Sequence, residues 1–205
     1  MRLPLPRLPR HGQIMAKKTE VTDLTGKLLI ASPGMNDPRF AGSVIFVCAY
    51  GPDGAMGLVV NRPAPEIDLG KLLQQLDISA ESPVDRIGVF YGGPVEPGRG
   101  FVLHGPDYHV ADATLAINGA FSMTASLQIL EALGSGDGPE QALLALGYSG
   151  WAPGQLEAEI ADNGWLIADG TPALVFPPDT SAMWANALQT IGINPSSLSP
   201  IGGRA

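Results

Sequence analysis

The chain has 205 residues, of which 45% are hydrophobic and 6% aromatic, and it contains 26 glycines and 19 prolines. This length and composition predict one domain with a sizeable core and many tight turns, and they argue against a long helical bundle or extensive disorder. Five of the twelve basic residues lie in residues 1–18, and from residue 19 onward seven basic residues face twenty carboxylates, a balance of −13 that disfavours binding to nucleic acid.

The sequence predicts a cytoplasmic protein without a membrane-spanning segment. In residues 1–18, arginine and proline alternate with leucine, which leaves no apolar run of the about 7–15 residues that a secretory signal needs. No stretch reaches the roughly 18–20 apolar residues that cross a bilayer. The single cysteine, Cys48, cannot form an intramolecular disulfide and lies in an apolar run at 44–49, so a reducing compartment fits.

The ends of the chain are predicted to lie outside the folded domain. Residues 1–18 are predicted to be a disordered extension, residues 19–194 the domain, and residues 195–205 a loose tail. The segment from Met15 to Lys18 reads as an ordinary N-terminus, so we expect translation to start at Met15. The intact mass of the native protein would check this expectation.

In the first half of the chain, short apolar runs bounded by turn residues predict strands. The segment Gly51-Pro52-Asp53-Gly54 supplies turn chemistry, so the strands on either side of it are expected to form a hairpin, and their nearly continuous apolar character indicates burial on both faces. Leucines at helical spacing after Asp68, which is predicted to be the N-terminal cap, predict one helix. The predicted strands are 26–31, 43–50, 55–60 and 87–91, and the predicted helix is 68–76.

The second half of the chain mixes both element types. Predicted strands are 99–103, 113–117 and 165–168, and predicted helices are 124–133, 139–145, 153–164 and 180–191. Strands and helices do not alternate strictly, and the early hairpin indicates antiparallel pairing. The sequence therefore predicts an α+β single domain with a mixed, largely antiparallel sheet.

Residue types that carry catalysis are present, but not in a recognised catalytic arrangement. His104 and His109 lie five residues apart with no cysteine nearby, which does not predict a metal site. Ser149 is followed two residues later by Trp151, where a nucleophile elbow requires glycine. The chain also lacks the glycine spacing of phosphate-binding loops. No catalytic residue, metal ligand or cofactor is therefore predicted.

Polar or glycine-rich junctions between elements are the remaining candidates for a site. Their simplest interpretation is that they are turns, because glycine permits unusual backbone angles and close approach. The alternative is a pocket that the junctions share, with a few polar groups converging on a ligand. The candidate ligand-binding residues on that alternative are Asn61, Arg62, Gly92, Gly93, Pro94, His104, Trp151 and Gln155.

Several segments together resemble the AlgH/YqgE family of bacterial proteins. They are Gly26-Lys27-Leu28-Leu29-Ile30-Ala31-Ser32-Pro33-Gly34-Met35 with Asp37 and Phe40, Gly57-Leu58-Val59-Val60-Asn61-Arg62-Pro63, Gly92-Gly93-Pro94-Val95, Gly147-Tyr148-Ser149-Gly150-Trp151, Gly154-Gln155-Leu156-Glu157, Asn163-Gly164-Trp165-Leu166 and Trp184. The resemblance covers about residues 24–194. It implies an α+β domain in which a coiled or barrel-like sheet is surrounded by helices. It also implies a name linked to transcriptional regulation of alginate production, without an established activity.

Three functions follow as hypotheses. The first is a non-catalytic binding or regulatory module that acts through a protein or small-molecule partner and regulates transcription only indirectly. The second is a small hydrolase or transferase using a pocket near Asn61, Arg62, His104 and Gln155, which requires those side chains to reach one substrate. The third, direct DNA binding, comes from the family's name, and the absence of a helix-turn-helix pattern and of a basic face disfavours it.

Overall fold

The computed structural model describes residues 23–195, which form nine strands and five helices. The predicted extension at 1–18 and, apart from Pro195, the predicted tail at 195–205 lie outside the described residues. In chain order the elements are β1 (Lys27–Ala31), β2 (Val44–Gly51), β3 (Gly54–Val59), α1 (Leu69–Gln75), β4 (Gly88–Tyr91), β5 (Val95–His104), β6 (Thr114–Ala116), β7 (Ser122–Thr124), α2 (Leu127–Ser135), β8 (Ala142–Trp151), α3 (Gln155–Ala161), β9 (Trp165–Asp169), α4 (Pro172–Val175) and α5 (Met183–Thr190).

The strands form one curled, mixed sheet in the order β6-β7-β5-β8-β3-β2-β1-β9. All neighbours in this order pair antiparallel, and β4 adds a parallel pairing with β8. The predicted α+β class and largely antiparallel sheet are confirmed. The hairpin predicted around Gly51 and Gly54 is also confirmed as β2 and β3.

Strand β8 is the structural centre of the sheet, and the helix predicted at 139–145 is wrong. The first half of β8 pairs with β5 on one edge and β4 on the other, and its last residues pair with β3. Leu143, Leu144 and Ala145 favour helices when isolated, yet here both faces of the strand are covered and all three side chains are buried. Tertiary pairing therefore overrides local propensity.

Several other elements also differ from the prediction. Thr124 was predicted to begin a helix, but residues 122–124 pair with β5 and β6 as β7, so α2 begins only at Leu127. The short helix α4 was not predicted. The helices predicted at 153–164 and 180–191 are present in shorter form as α3 and α5.

Strand β2 shows how the core is divided. Its buried side chains alternate between two apolar clusters, because successive residues of a strand point to opposite faces. Val44, Phe46 and Cys48 belong to the cluster enclosed by the curled sheet and α5, whereas Ile45 and Val47 belong to the cluster beneath α3. The predicted burial of this strand on both faces is confirmed.

The cluster beneath α3 fixes the position of the site described below. Leu156 of α3 is buried there together with Leu24, Trp151 and Trp165.

The longest helix among residues 23–195 has nine residues, and none of the helices there could cross a bilayer.

Candidate functional site

An open cleft of about 750 Å³ lies between α3 and the connection from β1 to β2. Its walls come from four parts of the chain, within 32–40, 94–95, 150–155 and 159–165. We call it the Trp cleft, because Trp151 at the end of β8 and Trp165 at the start of β9 form its floor. A cavity of this size lies in the range of about 300–1,000 Å³ that is usual for ligand sites.

Glu159 organises the floor of the Trp cleft. Its Oε2 accepts hydrogen bonds from both indole groups, from Trp151 Nε1 at 2.9 Å and from Trp165 Nε1 at 2.8 Å. Its Oε1 accepts a third bond from Gln155 Nε2 at 2.9 Å, one helical turn earlier on α3. Gln155 Oε1 in turn accepts from the backbone N–H of Ala152 at 3.0 Å, which ties the start of α3 to the end of β8.

The aromatic rings meet edge to face. Trp151 and Trp165 have ring centroids 6.1 Å apart with an interplanar angle of 82°, and Phe40 packs against Trp165 at 5.6 Å and 68°. The two tryptophans are only 6% and 2% exposed. Edge-to-face contacts of this kind are energetically favoured, so they stabilise the observed arrangement of the rings.

The rim of the Trp cleft carries an ion pair. Arg39 Nη2 donates to Asp37 Oδ2 at 2.7 Å, and its Nε donates to both carboxylate oxygens at 3.0 and 3.1 Å. These bonds lower the pKa of the Asp37 carboxyl and raise the pKa of the Arg39 guanidinium. The guanidinium also lies 5.6 Å from the centroid of the Phe40 ring.

The AlgH-like family model matches residues 28–196, which include every wall of the cleft. The chain belongs to the AlgH-like family. A UPF0301 protein of Cereibacter sphaeroides is 52% identical over 183 residues, which are 89% of this chain and all of that protein. A UPF0301 protein of Ruegeria pomeroyi is 54% identical over 184 residues, with the same coverage. The resemblance seen in the sequence is therefore confirmed.

Solved structures of similar proteins agree with the AlgH-like fold. The solution structure of the AlgH protein from Pseudomonas aeruginosa superposes with a TM-score of 0.72 at 39% identity, covering 92% of this chain and 100% of that one. A crystal structure of protein DIP2367 from Corynebacterium diphtheriae gives a TM-score of 0.63 at 20% identity, covering 80% of this chain and 85% of that one. At that identity the second match shows the fold alone.

Three of the candidate ligand-binding residues predicted from the sequence line the Trp cleft: Pro94, Trp151 and Gln155. Two others, Gly92 and Gly93, do not line the cleft and allow the chain to cross β8 at backbone contact distance. A Cβ added at Gly92 would lie 2.3 Å from the Gly147 carbonyl oxygen, and one at Gly93 would lie 2.2 Å from a backbone carbon of β8. Their role in the structure is close approach of two backbones.

Asn61 and Arg62 form hydrogen bonds to the end of the β1–β2 connection, which also contains the rim residues of the cleft. Asn61 Oδ1 accepts from the Val44 N–H at 2.8 Å, and its Nδ2 donates to the Gly42 carbonyl at 2.9 Å. Arg62 Nη2 donates to the Ala41 carbonyl at 3.0 Å. Both side chains thus stabilise the end of the β1–β2 connection, directly after the segment that supplies Asp37 and Arg39.

His104 is fully buried and does not line the Trp cleft. Its Nδ1 lies 2.6 Å from the Gly105 carbonyl, and its Nε2 lies 2.9 Å from the Thr124 hydroxyl, which is 2.7 Å from the Thr114 hydroxyl. The carbonyl can only accept, so Nδ1 carries the proton and Nε2 accepts. Burial lowers the pKa of His104, because desolvation favours the neutral ring over the charged one. The structure therefore does not bring His104 to one cavity with Gln155.

Other candidates for chemistry are engaged or buried. Cys48 is buried, and desolvation raises the pKa of its thiol. Ser149 is also buried, and its hydroxyl donates to the Gly92 carbonyl at 3.4 Å. Within residues 23–195, no three His, Cys, Asp or Glu side chains lie together as metal ligands would.

The candidate residues predicted from the sequence leave out much of the cleft: Glu159 and Trp165 of its floor and Asp37, Arg39 and Phe40 of its rim. Glu159 had a sequence signal, since Gln155 and Glu159 stand four residues apart on one face of a predicted helix. That helix is flanked by Trp151 and Trp165, so indole donors were available on both sides of the carboxylate. Asp37 and Phe40 of the rim belong to the segments that carry the family resemblance, but no periodicity in their connection indicated that they line a cleft.

Proposed function

We propose that this AlgH-like protein is a non-catalytic binding module of the cytoplasm, and that the Trp cleft receives its protein or small-molecule partner. The observation that carries the proposal is the hydrogen bonding of Glu159. Three side-chain donors from separate positions converge on one carboxylate and hold two indole groups at the floor of an open cleft. Because the side chains of the floor are already held in place, less conformational entropy is lost when a ligand binds.

The electrostatics favour a partner other than nucleic acid. The described residues include six basic and nineteen acidic side chains, a balance of −13. Phosphate backbones are held largely by Lys and Arg, so a surface with this balance repels a duplex. A role in transcription would accordingly be indirect and would act through the bound partner.

Affinity capture from native lysate tests the proposal when it includes a variant that blocks the cleft. Asn36 is exposed on the wall of the cleft, so Asn36→Tyr would fill the space above the floor. Gln74→Tyr, a similar change at an exposed position of α1, serves as the control. We expect a protein or metabolite that the wild type and Gln74→Tyr retain and Asn36→Tyr does not.

Two results would contradict the proposal. One is identical capture by all three proteins, which would place any binding outside the cleft. The other is no captured species together with turnover of a substrate by the purified protein. Circular dichroism of each variant before the experiment ensures that lost capture reflects the blocked cleft and not an unfolded chain.

A further inference from the structure

The charges that line the Trp cleft are unbalanced. Its walls carry three carboxylates, on Asp37, Glu159 and Asp162, and one guanidinium, on Arg39. Arg39 is already matched with Asp37 by three hydrogen bonds. Among residues 23–195, neither Glu159 nor Asp162 has a basic side chain within ion-pair distance. The cleft therefore presents two carboxylates that form no ion pair with a basic side chain of residues 23–195.

Glu159 also has an acceptor position to spare. A carboxylate offers about four lone-pair sites, and the two indoles and the Gln155 amide use three of them. Both sites used by the indoles are on Oε2, so the remaining one is on Oε1, on the side of the exposed Gln155. All three donors are neutral and leave the charge of the carboxylate in place. An ammonium or guanidinium group would fill the fourth site with a charge-assisted hydrogen bond.

We propose that the Trp cleft docks a basic segment of a partner protein, with Lys or Arg side chains bound to Glu159 and Asp162. The inference rests on the proposed function and adds the chemistry of the partner. Asp162 is the C-cap residue of α3, lines the cleft and is exposed, so its carboxylate is accessible to a cation. The surplus of negative charge over the described residues increases the rate at which a cationic partner arrives.

The shape of the cleft favours a polypeptide over a free amine. A volume of about 750 Å³ exceeds what one ammonium group fills, and apolar surface from Met35 and Phe40 adjoins the carboxylates. Amide groups of Asn36 and Asn163 on the walls can bond a peptide backbone. A segment that combines basic and apolar residues uses all of these surfaces, whereas a polyamine uses only the carboxylates.

Titration of the full chain with short peptides tests this inference. The cationic probe is acetyl-Arg-Leu-Lys-Leu-Arg-amide, the neutral probe is acetyl-Gln-Leu-Gln-Leu-Gln-amide, and spermidine represents the free amine. Binding is followed by calorimetry and by tryptophan fluorescence, to which Trp151 and Trp165 of the cleft floor contribute together with Trp184. We expect the cationic peptide to bind more tightly than either comparison ligand and to weaken as salt rises, because exposed charges are screened.

Charge-neutralising variants locate the binding. Asp162→Asn should weaken the cationic peptide about two- to fivefold, as for a rim charge, and Glu159→Gln by about tenfold or more, as for a partly buried charge. Glu81→Gln removes the same charge from an exposed position outside the cleft and should leave the affinity unchanged. Circular dichroism confirms that each variant is folded.

Several results would overturn the inference. They are equal binding of the neutral peptide, binding of spermidine as tight as that of the cationic peptide, equal effects of all three variants, and no binding of the cationic peptide. None of these results would contradict the affinity-capture experiment if Asn36→Tyr abolishes capture of a partner there. A cleft-dependent partner together with a failed peptide titration would therefore retain the proposed function and reject only the basic segment.

Discussion

Replacing Glu159 with alanine removes one acceptor from three donors at the floor of the Trp cleft. Trp151 and Trp165 are almost completely buried, so their indole N–H groups would lose their bonds with little access to solvent. A buried donor left without a partner costs about 1–3 kcal/mol. The cleft admits some water, and the Gln155 amide is exposed, so we expect Glu159→Ala to destabilise the fold by about 2–4 kcal/mol.

Glutamine at position 159 separates the acceptor from the charge. Its carbonyl oxygen has two lone pairs and can accept from both indoles, while its NH₂ faces the Gln155 Nε2 donor, which then loses a partner. That lost bond lies at an exposed position, so Glu159→Gln should cost no more than about 1 kcal/mol. Glu131→Ala, on the exposed face of α2, is the control and should stay within about 0.5 kcal/mol of the wild type.

Urea unfolding followed by far-ultraviolet circular dichroism measures these differences. For a domain of this size, each kcal/mol also moves the melting temperature by about 2–4 °C, which gives a second readout. The reasoning is refuted if the alanine and glutamine variants are equally stable, because then the indole bonds contribute nothing measurable. It is also refuted if Glu159→Ala matches the control.

Three further predictions follow from the structure. Burial lowers the pKa of His104 below 6.5, so the unfolded chain binds a proton at this residue more readily than the folded chain does. The contribution of His104 to stability should be fully present above pH 6.5 and fall below it. Urea unfolding between pH 8 and pH 5 should therefore show a smaller loss of stability in His104→Gln than in the wild type. The hydrogen bond to Glu157 raises the pKa of Tyr50 to about 12, and ultraviolet titration should show this pKa moving back toward 10 in Glu157→Gln. Gly93→Ala, whose Cβ would lie 2.2 Å from backbone, should cost about 1–3 kcal/mol or more, whereas Gly98→Ala, with no atom within 4 Å, should change stability by less than about 0.5 kcal/mol in the same assay.

Sequence patterns predicted an element correctly where residues close in sequence determine its structure. The turn at 51–54 predicted the β2–β3 hairpin, and the leucine spacing after Asp68 predicted α1, whose cap is the bond from the Lys71 N–H to the Asp68 carboxylate at 2.9 Å. Both features depend on residues close in sequence. The prediction failed at β8, because its identity as a strand depends on β3, β4 and β5, which lie far away in sequence.

The candidate site divides in the same way. Trp151 and Gln155 were predicted because they stand at a junction next to a helix whose start and end are marked by typical helix-terminal residues. His104 was proposed as a polar group of a pocket, yet it lies in a strand whose other side chains at 101–103 are also buried, and Thr124 satisfies it within the core. Sequence spacing could not separate these outcomes, since the partner of His104 comes from β7, a strand that the sequence did not predict.

The structural role of Glu159 does not by itself explain why the residue is charged. A neutral amide oxygen at the same place could accept from both indoles, and a further negative charge adds self-repulsion to a chain that is already strongly anionic. A role in binding a cation requires the charge itself. Comparing Glu159→Gln in both assays therefore separates the two roles: nearly unchanged stability with weakened peptide binding assigns the charge to binding, whereas a large loss of stability with unchanged binding assigns it to the fold.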